Sequence, residues 1–138
     1  MGEELGVICV KKLLYIYNPT AGRKTAKMNL SDALEVFTRQ GYEITVRPTQ
    51  ARGDAAAAVR DLGPEFDRVV CCGGDGTLNE TVRGVLELPR ERRPVLGYIP
   101  AGTTNDFSRT LELPRTLPEL AEAAGAGAPR AIDVGLAE

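Results

Sequence analysis

The stretch "DRVVCCGGDGTLNETVRGVL", Asp67 to Leu86, constrains the fold more than any other part of the chain. A short apolar run ends at adjacent glycines, and Leu78, Val82, Val85 and Leu86 then recur at helical spacing. A buried strand feeding a helix through glycines is half of a crossover unit, and such units build parallel sheets covered by helices on both faces. The flanking segments extend the pattern. "KKLLYIYNP", "YEITVRP" and "PVLGYIP" read as strands, and Leu30, Ala33, Leu34 and Phe37 mark an amphipathic helix closed by Gly41. "GDAAAAVRDLG" reads as a short helix with Asp54 at its N-cap and Gly63 at its end. The helix after the glycines is expected to begin at Thr77, "NDFSRTLELP" and "TLPELAEAAGAG" add two more, and "PRAIDVG" reads as a last strand. No repeat or linker divides the chain, so one α/β domain with a mainly parallel sheet is expected.

Composition removes several classes of function. With 17 basic and 19 acidic side chains in 138 residues, the chain lacks the positive surplus a nucleic-acid binder uses against phosphates. It has no histidine, and Ser31 and Ser108 are its only serines, which excludes a Ser-His-Asp hydrolase, a Cys-His protease and a His-ligated metal. Cys9, Cys71 and Cys72 are odd in number, and the adjacent pair points to opposite sides of its strand, so no disulfide framework follows. A reducing, cytoplasmic setting is expected. No run approaches the roughly 18 apolar residues of a membrane span, and "MGEELG" lacks a lipid-acceptor pattern, which leaves room only for peripheral membrane contact.

Three segments of unusual composition follow strands: "NPTAG" at Asn18 to Gly22, "GGDGTLN" at Gly73 to Asn79, and "PAGTTND" at Pro100 to Asp106. In a parallel sheet all three lie at the carboxyl edge, where ligands bind, and they meet if the first, third and fourth strands are neighbours. Gly73, Gly74 and Gly76 remove Cβ atoms, permit positive φ and let N–H groups converge on an anion at the start of the next helix. Asp75 would repel a bare phosphate, so it either caps the turn or shares the site with Mg²⁺. The chain has neither GxxxxGK[ST] nor GxGxxG, so the anion site follows neither common template. Cys71 and Cys72 read as strand packing, Glu80 as a first-turn acid or a ligand contact, and the "RERR" loop, Arg90 to Arg93, as an exposed loop or an anionic-lipid contact.

"NPTAG", "GGDGTLNE" and "GYIPAGTTNDFSRTL", in this order from about Lys12 to Gly135, resemble the catalytic domain of diacylglycerol kinases, in particular the soluble bacterial lipid kinases. "GGDGT" alone is shared with NAD kinases and phosphofructokinases; the "NDF" segment points to lipid kinases. The resemblance implies a three-layer, Rossmann-like domain and transfer of the γ-phosphate of ATP to a lipid hydroxyl such as that of diacylglycerol. It implies that Asn18, Pro19, Thr20, Ala21, Gly22, Thr49, Gly73, Gly74, Asp75, Gly76, Thr77, Leu78, Asn79 and Thr103 hold ATP, with Asp75 organising Mg²⁺. It also implies a second, mainly β domain carrying the general base, so that residues 1–138 form the nucleotide-binding half and show little kinase activity alone. A sheet edge normally covered by that domain would favour a homodimer. Other acceptors (NAD, a sugar phosphate or a sphingoid base) and a non-catalytic nucleotide-binding module fit the same loops.

Overall fold

A computed structural model describes residues 10–101 and 117–126; the expected "NDFSRTLELP" helix and "PRAIDVG" strand lie outside them. In chain order the elements are β1 (Lys11–Tyr17), α1 (Ala21–Met28), α2 (Leu30–Arg39), β2 (Tyr42–Pro48), α3 (Asp54–Leu62), β3 (Arg68–Gly73), α4 (Asp75–Leu86), β4 (Val95–Pro100) and α5 (Leu117–Ala126). One-turn 3-10 helices at Gly63–Glu65 and Arg90–Arg92 lead into β3 and β4.

The strands form a parallel sheet in the order β2-β1-β3-β4. Position in the sheet explains composition. In β1, at the centre, Leu13, Leu14, Tyr15 and Ile16 are buried on both faces, hence the unbroken apolar run. β2, at the edge, alternates: Tyr42, Ile44 and Val46 pack inward while Glu43, Thr45 and Arg47 are exposed, and charge on such an edge discourages pairing with another chain.

Two clusters cover the two faces. Leu13, Tyr15, Tyr17, Val70, Cys72 and Ile99 pack against α2 and α5, whereas Leu14, Ile16, Val69, Cys71 and Tyr98 pack against α3 and α4. This is the expected three-layer α/β domain, and Cys71 and Cys72 do face opposite ways. The chain leaves β1 toward β2 on one face, then crosses β1 to reach β3 on the other. The point of divergence therefore lies between β1 and β3, where open α/β sheets hold a crevice. No helix among the described residues is long and apolar enough to cross a membrane.

One expected boundary is corrected. α4 begins at Asp75, because Gly74, extended at φ -88° and ψ -169°, is its N-cap and its carbonyl accepts the Leu78 N–H at 3.1 Å. The basic run after Asn18 to Thr20 forms a helix of its own, α1, separated from α2 at Asn29.

The buried thiols and phenols set an alkaline limit on this fold. Burial pushes the Cys71 thiol up to about 12 against the Thr81 hydroxyl, and pushes Cys72 up against Tyr15. It raises the phenols of Tyr15 and Tyr98 as well, with Cys72 adding at the first and the Cys71 and Asp75 charges at the second. In the unfolded chain these thiols ionise near 9.0 and the phenols near 10.0, before they do in the fold. Above those values the unfolded state binds fewer protons, so stability is full below pH about 9 and falls as pH rises, by about 1.4 kcal/mol per pH unit for each group ionised only when unfolded. Urea midpoints should therefore be level from pH about 7 to 8.5 and drop steeply by pH about 10.5; a midpoint unchanged there would contradict this account.

Candidate functional site

Tyr17 stands in register with Pro48 on one side and Cys72 on the other, so the residues after β1, β2 and β3 emerge at one level. Main-chain bonds stitch this edge together: Thr49 N–H to Tyr17 O at 2.9 Å, Asn18 N–H to Cys72 O at 3.1 Å, and Ala101 N–H to Gly73 O at 3.0 Å. An open cleft of about 430 Å³ lies where the chain diverges. Its described walls are Asn18, Pro19 and Thr20 after β1, Thr49 to Arg52 with Ala55 after β2, and Gly76, Thr77 and Glu80 of α4.

The amino end of α4 forms one wall. Its N-cap glycine carries no capping side chain, and the first N–H used within the helix is that of Leu78. The N–H groups of Asp75, Gly76 and Thr77 are thus available beside the cleft, at the positive end of the helix dipole.

The three glycines do different things. A Cβ at Gly73 would stand 2.7 Å from Thr77 Oγ1, so this glycine is required by the protein's own packing. A Cβ at Gly74 or Gly76 would meet nothing within 4 Å, which leaves open space in front of the helix. The expectation that positive φ explains them is corrected: the described glycines with positive φ are Gly22, Gly41 and Gly53.

The loop after β2 is held by carboxylates. Asp54 Oδ2 accepts the N–H groups of Gln50 at 2.6 Å and Ala51 at 2.9 Å, and Glu80 Oε2 reaches from α4 to accept the Gly53 N–H at 3.0 Å. Gly53, at φ 93°, is the N-cap of α3, a conformation that would strain any side-chain-bearing residue. Asp54 is therefore the first residue of α3 rather than its N-cap, and its carboxylate folds back over the loop. On the opposite wall, Asn18 Oδ1 accepts both the N–H and the hydroxyl of Thr20, at 3.0 and 2.9 Å, turning the chain into α1.

Of the residues expected to bind, Asn18, Pro19, Thr20, Thr49, Gly76 and Thr77 line the cleft. Ala21 and Gly22 lie in the first turn of α1, and Gly73 and Gly74 lead into α4. Leu78 is buried in the core, Asn79 is exposed outside the lining, and Thr103 lies outside the described residues, as do Asn105 and Asp106. Asp75 is exposed at the first position of α4, with no hydrogen-bond or ion-pair partner among the described residues. Among the described residues, no group of three or more His, Cys, Asp or Glu side chains is placed to hold a metal ion. The "RERR" loop precedes β4 and so occupies the amino edge of the sheet, a strand length of about 20 Å from the cleft. Arg93 closes that loop by donating to Leu88 O and Leu86 O.

The family model for the diacylglycerol kinase catalytic domain matches residues 12–137. The chain belongs to this family. It is 43% identical over 128 residues to a diacylglycerol kinase of Bacillus subtilis (strain 168), across 91% of this chain and 42% of that protein. A diacylglycerol kinase of Staphylococcus epidermidis is 49% identical over 105 residues, across 75% of this chain and 33% of its own length. The fold is similar to the crystal structure of a diacylglycerol kinase from Bacillus anthracis str. Sterne, with a TM-score of 0.72 and 36% identity over 81% of this chain and 42% of that one. The chain thus spans less than half the length of these relatives.

In this diacylglycerol kinase catalytic domain, sequence reasoning left Gln50, Ala51, Arg52 and Ala55 out of the cleft and Glu80 undecided. Glu80 had a readable signal, since it stands four residues after Gly76 and so shares its side of α4. Gln50 to Arg52 had only their place after a strand.

Proposed function

We propose that this domain binds Mg·ATP in the cleft and serves a lipid kinase that transfers the γ-phosphate to a lipid hydroxyl such as that of diacylglycerol, giving phosphatidate. The observation that carries the reading is the uncapped amino end of α4, opening through Gly74 and Gly76 onto the cleft at the divergence of the chain. N–H donors in that geometry suit a phosphate group without a basic side chain. Asn18, Pro19, Thr20, Thr49, Gly76 and Thr77 then form the nucleotide's described surroundings, with Ala21, Gly22, Gly74 and Asp75 next to them.

The residues fit a magnesium ion held largely by its ligand. Asp75 offers an exposed carboxylate with no described partner, next to the phosphate seat, and Mg²⁺ is commonly bound by one or two carboxylates, water and substrate phosphates. Bound there, the ion would offset charge on the transferring phosphoryl group. This chain's own share is positioning: the first turn of α4 orients the phosphates, and the walls after β1 and β2 restrict the nucleotide. We assign the proton acceptor and the lipid site to the part of the relatives' length that the matched residues do not cover.

Calorimetric titration of the chain with Mg·ATP tests this reading. Saturable one-site binding is expected, weakened by about 10-fold or more in Asp75→Ala, with the loss confined to titrations containing Mg²⁺. Labelled phosphate should stay on the nucleotide when diacylglycerol micelles are added; label in the chloroform phase would overturn the assignment of the acceptor groups. Absence of nucleotide binding by the folded chain would overturn the site.

A further inference from the structure

The described walls of the cleft carry one positive side chain, Arg52, and one negative, Glu80. Arg52 is exposed and makes no hydrogen bond or ion pair with any described residue. The acids around it are engaged elsewhere, Asp54 with the N–H groups of Gln50 and Ala51 and Glu80 with the N–H of Gly53. The residues on both sides of Arg52 are therefore pinned while its guanidinium is left uncommitted. Glu80 is one helical turn from Gly76, about 6 Å along α4. Arg52 adjoins Gly53, whose N–H Glu80 holds, so it belongs to the wall after β2 that faces the same cleft as the first turn of α4. A polyphosphate seated on α4 has further phosphate groups to offer that wall, whereas a single phosphate seated there has none.

We propose that Arg52 is a specificity-determining residue, pairing with a second phosphate of a nucleoside polyphosphate whose first seat is the amino end of α4, and that Glu80, acting through Gly53, is the positioning residue that keeps it there. The inference rests on the nucleotide-binding reading above. A guanidinium suits the role, since its planar fork grips phosphate oxygens in pairs and stays charged at every working pH. Glu80 by itself would repel the same group; its bond to Gly53 turns that carboxylate into a support for the loop.

The test is titration of wild type, Arg52→Ala, Arg52→Lys, Glu80→Ala, Glu80→Gln and the double alanine variant with Mg·ATP, Mg·ADP and AMP, with melting temperatures taken alongside. Arg52→Ala should weaken ATP and ADP by about 10-fold or more and AMP by less than about 2-fold, with the ATP loss shrinking as salt is raised and partly restored in Arg52→Lys. Glu80→Ala should reproduce the selective loss, the double variant should lose no more than either single one, and Glu80→Gln, whose amide oxygen still accepts from Gly53, should stay near wild type. Equal losses for AMP and ATP would place Arg52 on the base or ribose and overturn the proposal, as would an unchanged ATP affinity in Arg52→Ala. Failure of wild type to bind any of the three removes the nucleotide reading, and this proposal with it.

Discussion

Gly76→Ala is expected to leave the domain as stable as wild type, or more so by up to about 1 kcal/mol, while weakening Mg·ATP binding by about 100-fold. The two halves have separate causes. Gly76 lies inside α4, where alanine is the better helix former by about 0.5 to 1 kcal/mol, and its added methyl would meet no protein atom within 4 Å. That methyl would stand in the open space in front of the first-turn N–H groups, where the phosphate is proposed to sit. Displacing the phosphate forfeits one or two charge-assisted hydrogen bonds, each of about 1.5 to 3 kcal/mol, which gives the expected loss. Gly73→Ala provides the contrast, because its Cβ would stand 2.7 Å from Thr77 Oγ1 and should lower stability first. Thermal melts beside calorimetry read both quantities. Unchanged ATP affinity in Gly76→Ala would mean that the amino end of α4 is not the phosphate seat.

The strands were legible because the central ones, β1 and β3, are apolar on both faces and each is followed by glycine, asparagine or proline. Their order was not, since no residue within a strand records which neighbour it pairs with; only the alternation of β2 hints at its edge position. The start of α4 was misread for a local reason. Asp75 and Gly76 have the composition of a turn, and glycine's poor helix propensity argued for a later start. An uncapped helix end facing a cleft overrides that preference. The cleft was legible in part, through Asn18 to Thr20, Thr49, Gly76 and Thr77, because each follows a strand or opens a helix. The Glu80 contact with Gly53 spans 27 residues between two helices that meet only when the sheet is assembled, so no local pattern encodes it. The packing role of Gly73 was hidden for a related reason: the Thr77 side chain that demands a glycine there becomes its neighbour only once the helix begins two residues early.

Gly97→Val should have the opposite profile, a loss of about 3 kcal/mol or more in stability with the cleft's chemistry intact. Gly97 lies in β4 opposite Val70, on the face covered by α5. A Cβ there would stand 2.5 Å from the carbonyl oxygen of Ala124 and 3.0 Å from its Cα, which are main-chain atoms that no rotamer change can move. Nor can α5 withdraw freely. Arg68 Nη1 donates to Ala124 O at 3.0 Å, Gln40 Nε2 donates to Glu122 O at 3.2 Å, and the Tyr42 hydroxyl donates to Gly125 O. These donors satisfy carbonyls at the end of a helix, where the Arg68 charge also suits the dipole, so relieving the clash means giving up some of those bonds. Overpacking of this kind costs about 1 to 3 kcal/mol before any bond is lost, a large share of the 5 to 15 kcal/mol that about 100 to 150 residues usually have. Urea midpoints would register the loss. Nucleotide affinity at low temperature, where most molecules remain folded, should change little, because none of the described cleft walls comes from β4 or α5. A Gly97→Val domain with wild-type stability would mean that α5 slides on the sheet and that its three tethers are weak. One glycine that governs binding alone and another that governs stability alone would separate the site from the scaffold by experiment.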